Sequence, residues 1–269
     1  MFKKISIGLV TFICVVSYSL AQALASNLRE TPVVQVVRDW SPSVVNISTE
    51  RVLYLKQQPF WNGYGPMFDD KFSDFVNRNT QTIQKEVRLK GIGSGVIIHD
   101  DGVIVTNAHV VNMASKVYVV FSDGVTCDGE VILINQVDDL AFVKVKPPHQ
   151  LKSVHLANPD DIRIGETVIS IGNPFGLENS VSAGIISGKA RNFALPKTQH
   201  LFTDLVQTDV SINLGSSGGA LLNLDGELVG VNLAVIEQAQ NIAFAVSVRK
   251  IKDGLDYYKS LKEQGRFQN

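Results

Sequence analysis

Short apolar runs separated by Gly, Asp, Asn and Pro recur along the chain from residue 43 to residue 246. Runs this brief, with turn residues between them, read as β-strands, because a helix needs a longer window to display its 3.6-residue period. Before Pro147-Pro148 lie Ser43–Ser48, Gly95–Ile98, Val103–Val105, Lys116–Phe121, Glu130–Ile134 and Leu140–Val145. After it come Thr167–Ile171, Ser180–Ser187, Leu205–Thr208, Gly219–Leu222, Leu228–Val231 and Ile242–Val246. Asp100-Asp101-Gly102 has the composition of a hairpin turn joining two of these runs. The expected fold is all-β: two six-stranded antiparallel β-barrels, residues 26–148 and 149–246.

Three stretches depart from that pattern. From Ser247 to Gln264, Val248, Ile251, Leu255 and Tyr258 fall at helical spacing, Ser247 is a ready N-cap and Gly265 a stop, so a C-terminal amphipathic helix over 247–264 is predicted. At the other end, Lys3 and Lys4, an apolar middle from Ile5 to about Leu20, and Ala23-Leu24-Ala25 have the order of a secretory signal peptide, residues 1–25. The run is short for a membrane span and holds several Ser and Thr, although an uncleaved anchor is the alternative. Residues 55–84 scatter Phe60, Trp61, Tyr64, Phe68, Phe72 and Phe75 among polar neighbours, aromatic surface that is costly to leave in water.

Composition narrows the chemistry. The chain has 269 residues, 45% of them apolar, and the roughly 240 left after a leader can bury a large core. Net charge is −1, or about −3 once Lys3 and Lys4 leave with the signal, and no basic face is concentrated for nucleic acid. Of the two cysteines, Cys14 goes with the leader and Cys127 remains. A lone thiol forms no internal disulfide and no thiolate zinc site, so no metal and no cofactor is expected.

The chemistry-bearing stretch is Asp209-Val-Ser-Ile-Asn-Leu-Gly-Ser-Ser-Gly-Gly-Ala-Leu-Leu-Asn223, with Ser217 set among Gly215, Gly218 and Gly219. Glycines around a serine let the backbone approach a substrate carbonyl and turn sharply into the next strand. A plain glycine-rich turn would look the same, so Ser217 needs partners elsewhere. The motif also fits the nucleophile elbow of α/β-hydrolases, but there the base histidine follows the serine. Here His99, His109, His149, His155 and His200 all precede it. His99 sits in a hairpin turn, His149 follows two prolines, and His155 and His200 lie in polar contexts without a recurring partner. His109 ends the strand-like Val103–Asn107, where a base can be held rigidly facing a cleft. Thirty residues on, Asp139 immediately precedes an apolar strand and can be held inward, with Asp138 pointing the other way.

The segments Gly93-Ser-Gly-Val, Thr106-Asn-Ala-His-Val-Val, Asp139-Leu-Ala, Ile171-Gly-Asn-Pro-Phe-Gly, Gln207-Thr-Asp and Gly215-Ser-Ser-Gly-Gly-Ala-Leu resemble, in order, those of the HtrA/Deg family of trypsin-like serine proteases. Leu214 and Ser216 stand where that family usually has proline and asparagine. The resemblance implies a trypsin-like fold and a secreted or periplasmic serine endopeptidase acting on protein and peptide substrates. It implies a triad of Ser217, His109 and Asp139, with the backbone N–H groups of Gly215 and Ser217 as oxyanion hole. It places Ser211 at the base of the specificity pocket and Ile212 and Val235 on its walls, with Asn232 also in the substrate-binding set. Residues 55–84 match the family's long first loop and Lys189–Thr203 its sensor loop, so a homotrimer through the N-terminal segment and the aromatic loop is expected. Only Gly265–Asn269 follow the final helix, so the expectation is a form without a PDZ domain. The rival reading, drawn from Leu214, Ser216 and the short end, is a binding or chaperone module whose triad is idle.

Overall fold

The computed structural model describes residues 29–57, 83–147, 149–173, 179–194, 200–213, 215–235 and 241–264. The expected leader 1–25 and the aromatic residues of 58–82 lie outside them. Among the described residues two closed antiparallel barrels of six strands each are followed by a helix. The first barrel runs β1 (Val44–Gln57), β2 (Ile83–His99), β3 (Val103–Thr106), β6 (Leu140–Val145), β5 (Thr126–Asn135) and β4 (Lys116–Val120) around its wall. In the second, β7 (Thr167–Gly172), β8 (Ser180–Ala194), β9 (Leu201–Thr208), β12 (Ala243–Ser247), β11 (Leu228–Val235) and β10 (Ala220–Asn223) close in that order.

Period-two alternation sorts the apolar side chains into three cores. Val45, Ile47, Ile97, Ile104, Val119 and Val143 fill the first barrel. Val168, Ile186, Val206, Leu221, Val229 and Ala245 fill the second. Their strand neighbours Val44, Val96, Ile98, Phe142, Ala220, Leu222 and Leu228 point outward and meet in a third cluster, the seam between barrels. A one-residue slip in β1 would therefore exchange barrel interior for seam, which ties register to the packing of both halves. Each fully buried Val, Leu, Ile or Phe contributes about 1.5–3 kcal/mol, so packing of this extent can hold the fold without a disulfide.

Helix α1 (Pro32–Trp40) was not anticipated. Its signals are present all the same: Thr31 accepts the Val34 N–H at 3.3 Å, Pro32 sits at the first position, and Val33, Val36, Val37 and Trp40 form the stripe that packs on the seam. Strands β1 and β2 run further than their apolar content indicated, pairing out to Gln57 with Ile83, so the segment read as 55–84 begins and ends as a β-ladder. Most of Lys189–Thr203 is likewise strand, in β8 and β9, whose register shifts repeatedly; residues 195–199 lie outside the described residues.

The C-terminal helix α3 (Val248–Glu263) forms where expected, with the Ser247 hydroxyl accepting the Arg249 N–H at 3.2 Å. Val248, Ile251 and Tyr258 are buried, whereas Leu255 is only partly covered against the seam. Gly254 faces Phe142 of β6: a Cβ there would stand 2.7 and 2.8 Å from the Phe142 ring, which is itself fully buried and cannot yield. On an open helix Gly→Ala stabilises by about 1 kcal/mol. Here Gly254→Ala is expected instead to destabilise by about 1–3 kcal/mol through overpacking. A lower urea midpoint confirms this; a raised midpoint contradicts it.

Candidate active site

Strand β3 ends at Thr106, and Asn107 enters the single turn α2 (Ala108–Val111) in an extended conformation. Asp139, the last residue before β6, grips this turn from both of its ends. Its carboxylate accepts the His109 N–H at Oδ1 (2.8 Å) and meets the His109 Nδ1 at Oδ2 (2.6 Å). Its carbonyl accepts from the Ala108 N–H and from Asn107 Nδ2, both at 3.1 Å. To do so Asp139 adopts φ +50°, a left-handed conformation costing about 1–2 kcal/mol for most residues and tolerated by Asp. An ionised carboxylate only accepts, so Nδ1 is the donor, and in the neutral imidazole Nε2 then keeps its lone pair. The carboxylate is buried and the imidazole side chain half exposed, leaving that lone pair for a reacting group.

The neighbouring Asp138 turns away, taking a hydrogen bond from Asn135 Nδ2 (2.7 Å) and pairing with Lys250 Nζ of α3 (3.0 Å). The other imidazoles are engaged elsewhere. His99 and His149 meet Asp101 and Asp123 on exposed turns, each at 2.9 Å, His155 packs edge-on against Trp40, and His200 Nε2 lies 2.9 Å from the Val137 carbonyl.

The serine loop is shaped by glycines with positive φ, Gly215 at +87° and Gly218 at +84°. A Cβ on Gly218 would collide with the Ser94 carbonyl and the Thr106 hydroxyl. The Ser216 N–H bonds to Asn213 O (2.9 Å), Gly218 N–H to Asn232 O (2.9 Å) and Gly219 N–H to Ser216 O (3.0 Å). Among the described residues the N–H groups of Gly215 and Ser217 have no such partner. The first barrel holds this loop directly: Ser94 N–H donates to the Ser217 carbonyl at 2.8 Å, and Thr106 Oγ1 donates to the Ser94 carbonyl at 2.7 Å. Thr106 lies three residues before His109, so one short chain of bonds joins the serine loop to the imidazole turn. No hydrogen bond between the Ser217 hydroxyl and His109 is formed among the described residues.

Beside the loop lies a hollow of about 190 Å³ lined by Ser211, Ile212, Asn213, Asn241, Ile242 and Ala243, with Asp209 and Val210. Asp209 turns toward β8, where its Oδ1 accepts the Ile185 N–H at 2.7 Å. Ser211 and Ile212, expected at the specificity pocket, border this hollow. Asn232 does not: it is fully buried, and its amide donates to Ser170 Oγ (2.9 Å) and the Ala220 carbonyl (3.2 Å), which makes it a strut under the loop. Val235 ends β11 opposite Ala243, and its side chain lies outside what is described, as does Leu214. Asn241 and Ile242 also line the hollow, and no motif marks them in the sequence. Among the described residues no three His, Cys, Asp or Glu side chains converge as metal ligands would.

Two closed barrels, with a carboxylate–imidazole pair on one and a glycine-set serine on the other, make up this fold and site, and the trypsin-like peptidase domain family matches residues 93–231. HhoA of Synechocystis sp., a serine protease by its name, is 39% identical over 233 residues, covering 86% of this chain and 58% of its own. A relative from Halomonas elongata, named as a DegP-like periplasmic serine endoprotease, is 34% identical over 236 residues, 84% of this chain and 49% of its own. Among solved structures, the HtrA-type protease AlgW with a decapeptide superposes with a TM-score of 0.68 at 29% identity, over 86% of this chain and 67% of that one. The chain belongs to the HtrA/Deg family of trypsin-like serine peptidases. It spans about half to three-fifths of the length of these curated relatives.

The left-handed backbone at Gly218 and its contact with Ser94 and Thr106 make that glycine irreplaceable for the loop. Gly218→Ala is expected to lower stability by more than about 2 kcal/mol and to abolish reaction with active-site titrants. A variant that melts with the parent and titrates fully would contradict this.

Proposed function

We propose that the chain is a serine endopeptidase that hydrolyses peptide bonds of unfolded proteins through Ser217, His109 and Asp139. The observation that carries the reading is the double grip of Asp139 on His109, at 2.6 and 2.8 Å, beside a serine loop fastened to the same barrel. His109 Nε2 takes the Ser217 proton as Oγ attacks the substrate carbonyl, and Asp139 stabilises the imidazolium that forms. The hydroxyl comes within reach of Nε2 when substrate settles in the cleft, as such bonds often tighten only in the complex. The N–H groups of Gly215 and Ser217, unused by the protein's own backbone among the described residues, receive the oxyanion. The imidazolium then protonates the leaving amine, and water repeats the sequence on the acyl-enzyme.

The relatives' names support a periplasmic site of action, reached by cleavage of residues 1–25. Among the described residues no helix is long and apolar enough to cross a membrane. Assembly as a homotrimer, through the N-terminal segment and residues 55–84, is part of the same proposal.

Digestion of casein by purified residues 26–269 tests the reading. Ser217→Ala is expected to lower the rate by at least ~10⁴ while melting like the parent, and Asp139→Asn to lower it by about 10⁴ through the wrong imidazole tautomer. Activity within tenfold of the parent in Ser217→Ala would leave an idle-triad binding module as the better account.

The hollow bordered by Ser211 and Ile212 offers no free carboxylate at its base, and the one nearby, Asp209, is bonded to Ile185. Cleavage is therefore expected after small or medium apolar residues. Sequencing the products of a proteome digest checks this, and dominant cleavage after Lys or Arg would refute it.

A further inference from the structure

The Ser94 backbone could fasten the serine loop whatever its side chain, yet the hydroxyl is placed with equal definition. It is fully buried, accepts the Asn173 N–H at 2.8 Å and donates to the Gly215 carbonyl at 2.6 Å, across the seam. The Asn173 carbonyl is in turn held by Asn46 Nδ2 at 2.9 Å, which also reaches the Gly93 carbonyl at 3.2 Å. With one lone pair taken by Asn173, the hydroxyl proton has a defined direction, toward Gly215.

The Gly215 carbonyl belongs to the peptide that links Gly215 to Ser216. That peptide's N–H is tied to Asn213 O at 2.9 Å, so the Ser94 hydroxyl pins its other end. It lies between the two peptides that carry the N–H groups of Gly215 and Ser217. A turn of the middle peptide re-aims those donors relative to each other. Gly215, with no Cβ and a φ of +87°, offers little steric resistance to such a turn. The restraint has to come from hydrogen bonds.

We infer that the Ser94 side chain is a positioning residue for oxyanion stabilisation: its hydroxyl, supplied by the barrel that carries His109, fixes the peptide between the two N–H donors of the serine loop. This rests on the proposed role of Ser217. Ser94 touches no reacting atom and acts through Gly215. The account differs from a packing role in what it predicts. Loss of packing lowers stability, whereas loss of aim lowers the rate of the chemical step and the affinity for a tetrahedral mimic, and spares ground-state binding.

The test compares Ser94→Ala with the parent on a reporter peptide, with a peptide boronate as tetrahedral mimic, and by amide hydrogen exchange of segment 213–219. Removing an oxyanion donor outright costs about 10²–10³ in kcat, so misaiming is expected to cost about 10–100-fold. KM should stay within about threefold, boronate inhibition should weaken by a factor similar to the loss in kcat, and exchange in 213–219 should quicken while β1 and β10 keep their protection. A kcat within twofold, or a loss confined to KM, with exchange unchanged, would overturn the inference. An inactive parent whose loop still loosens in Ser94→Ala would refute the Ser217 reading and leave the pinning intact. Should Ser94→Ala not fold, Ser94→Cys keeps the volume with a poor donor, and the same readouts apply. A Cys variant indistinguishable from the parent in all three would also overturn the proposal.

Discussion

Across the seam between the barrels, the Ser94 N–H donates to the Ser217 carbonyl at 2.8 Å, and the geometry of the site depends on that attachment. A serine on one barrel and an imidazole on the other can cooperate only if their separation is set more finely than hydrophobic contact alone sets it. The seam core of Val44, Val96, Phe142, Leu222 and Leu228 brings the halves together and excludes water. Directional bonds then fix the register: Ser94 to Ser217, Gly215 and Asn173, and Asn46 to Asn173. In a dry seam each such bond is costly to leave unmade, which is why few of them suffice.

The base half is organised differently. Asp139 reaches His109 by reversing its own backbone at φ +50°, so its carboxylate and its carbonyl both address the α2 turn. Strain at one residue is offset by hydrogen bonds to Asn107, Ala108 and His109. The imidazole is thereby oriented through main chain and side chain together, and its tautomer is set before any substrate arrives.

Much of this was legible in the sequence, and the reason differs by residue. His109 and Asp139 stand beside strands whose apolar alternation is strong, so their placement followed from the strands. The order of histidines and serine excluded the competing hydrolase fold. Ser94, Thr106 and Asn107 were visible only as parts of motifs, because their partners are set by tertiary approach: Ser94 and Gly215 lie 121 positions apart in the chain. Asn232 entered only through the family resemblance, and in the structure the strand phase turns its amide inward onto Ser170. Helix α1 is short, and the helical spacing of Val33, Val36, Val37 and Trp40 spans barely two turns, too little to stand out beside the period-two strands that follow.

The central claim is that Ser217 is made nucleophilic by His109 within this fold. Incubation of the protein with a fluorophosphonate, followed by peptide mass spectrometry, tests it without knowledge of the natural substrate. The serine oxygen displaces fluoride and forms a bond to phosphorus, so the adduct records which hydroxyl reacts. The account predicts a single phosphonylated serine, Ser217, and its loss in His109→Ala with the fold retained. Labelling that falls on another serine, or that persists undiminished without His109, would contradict it.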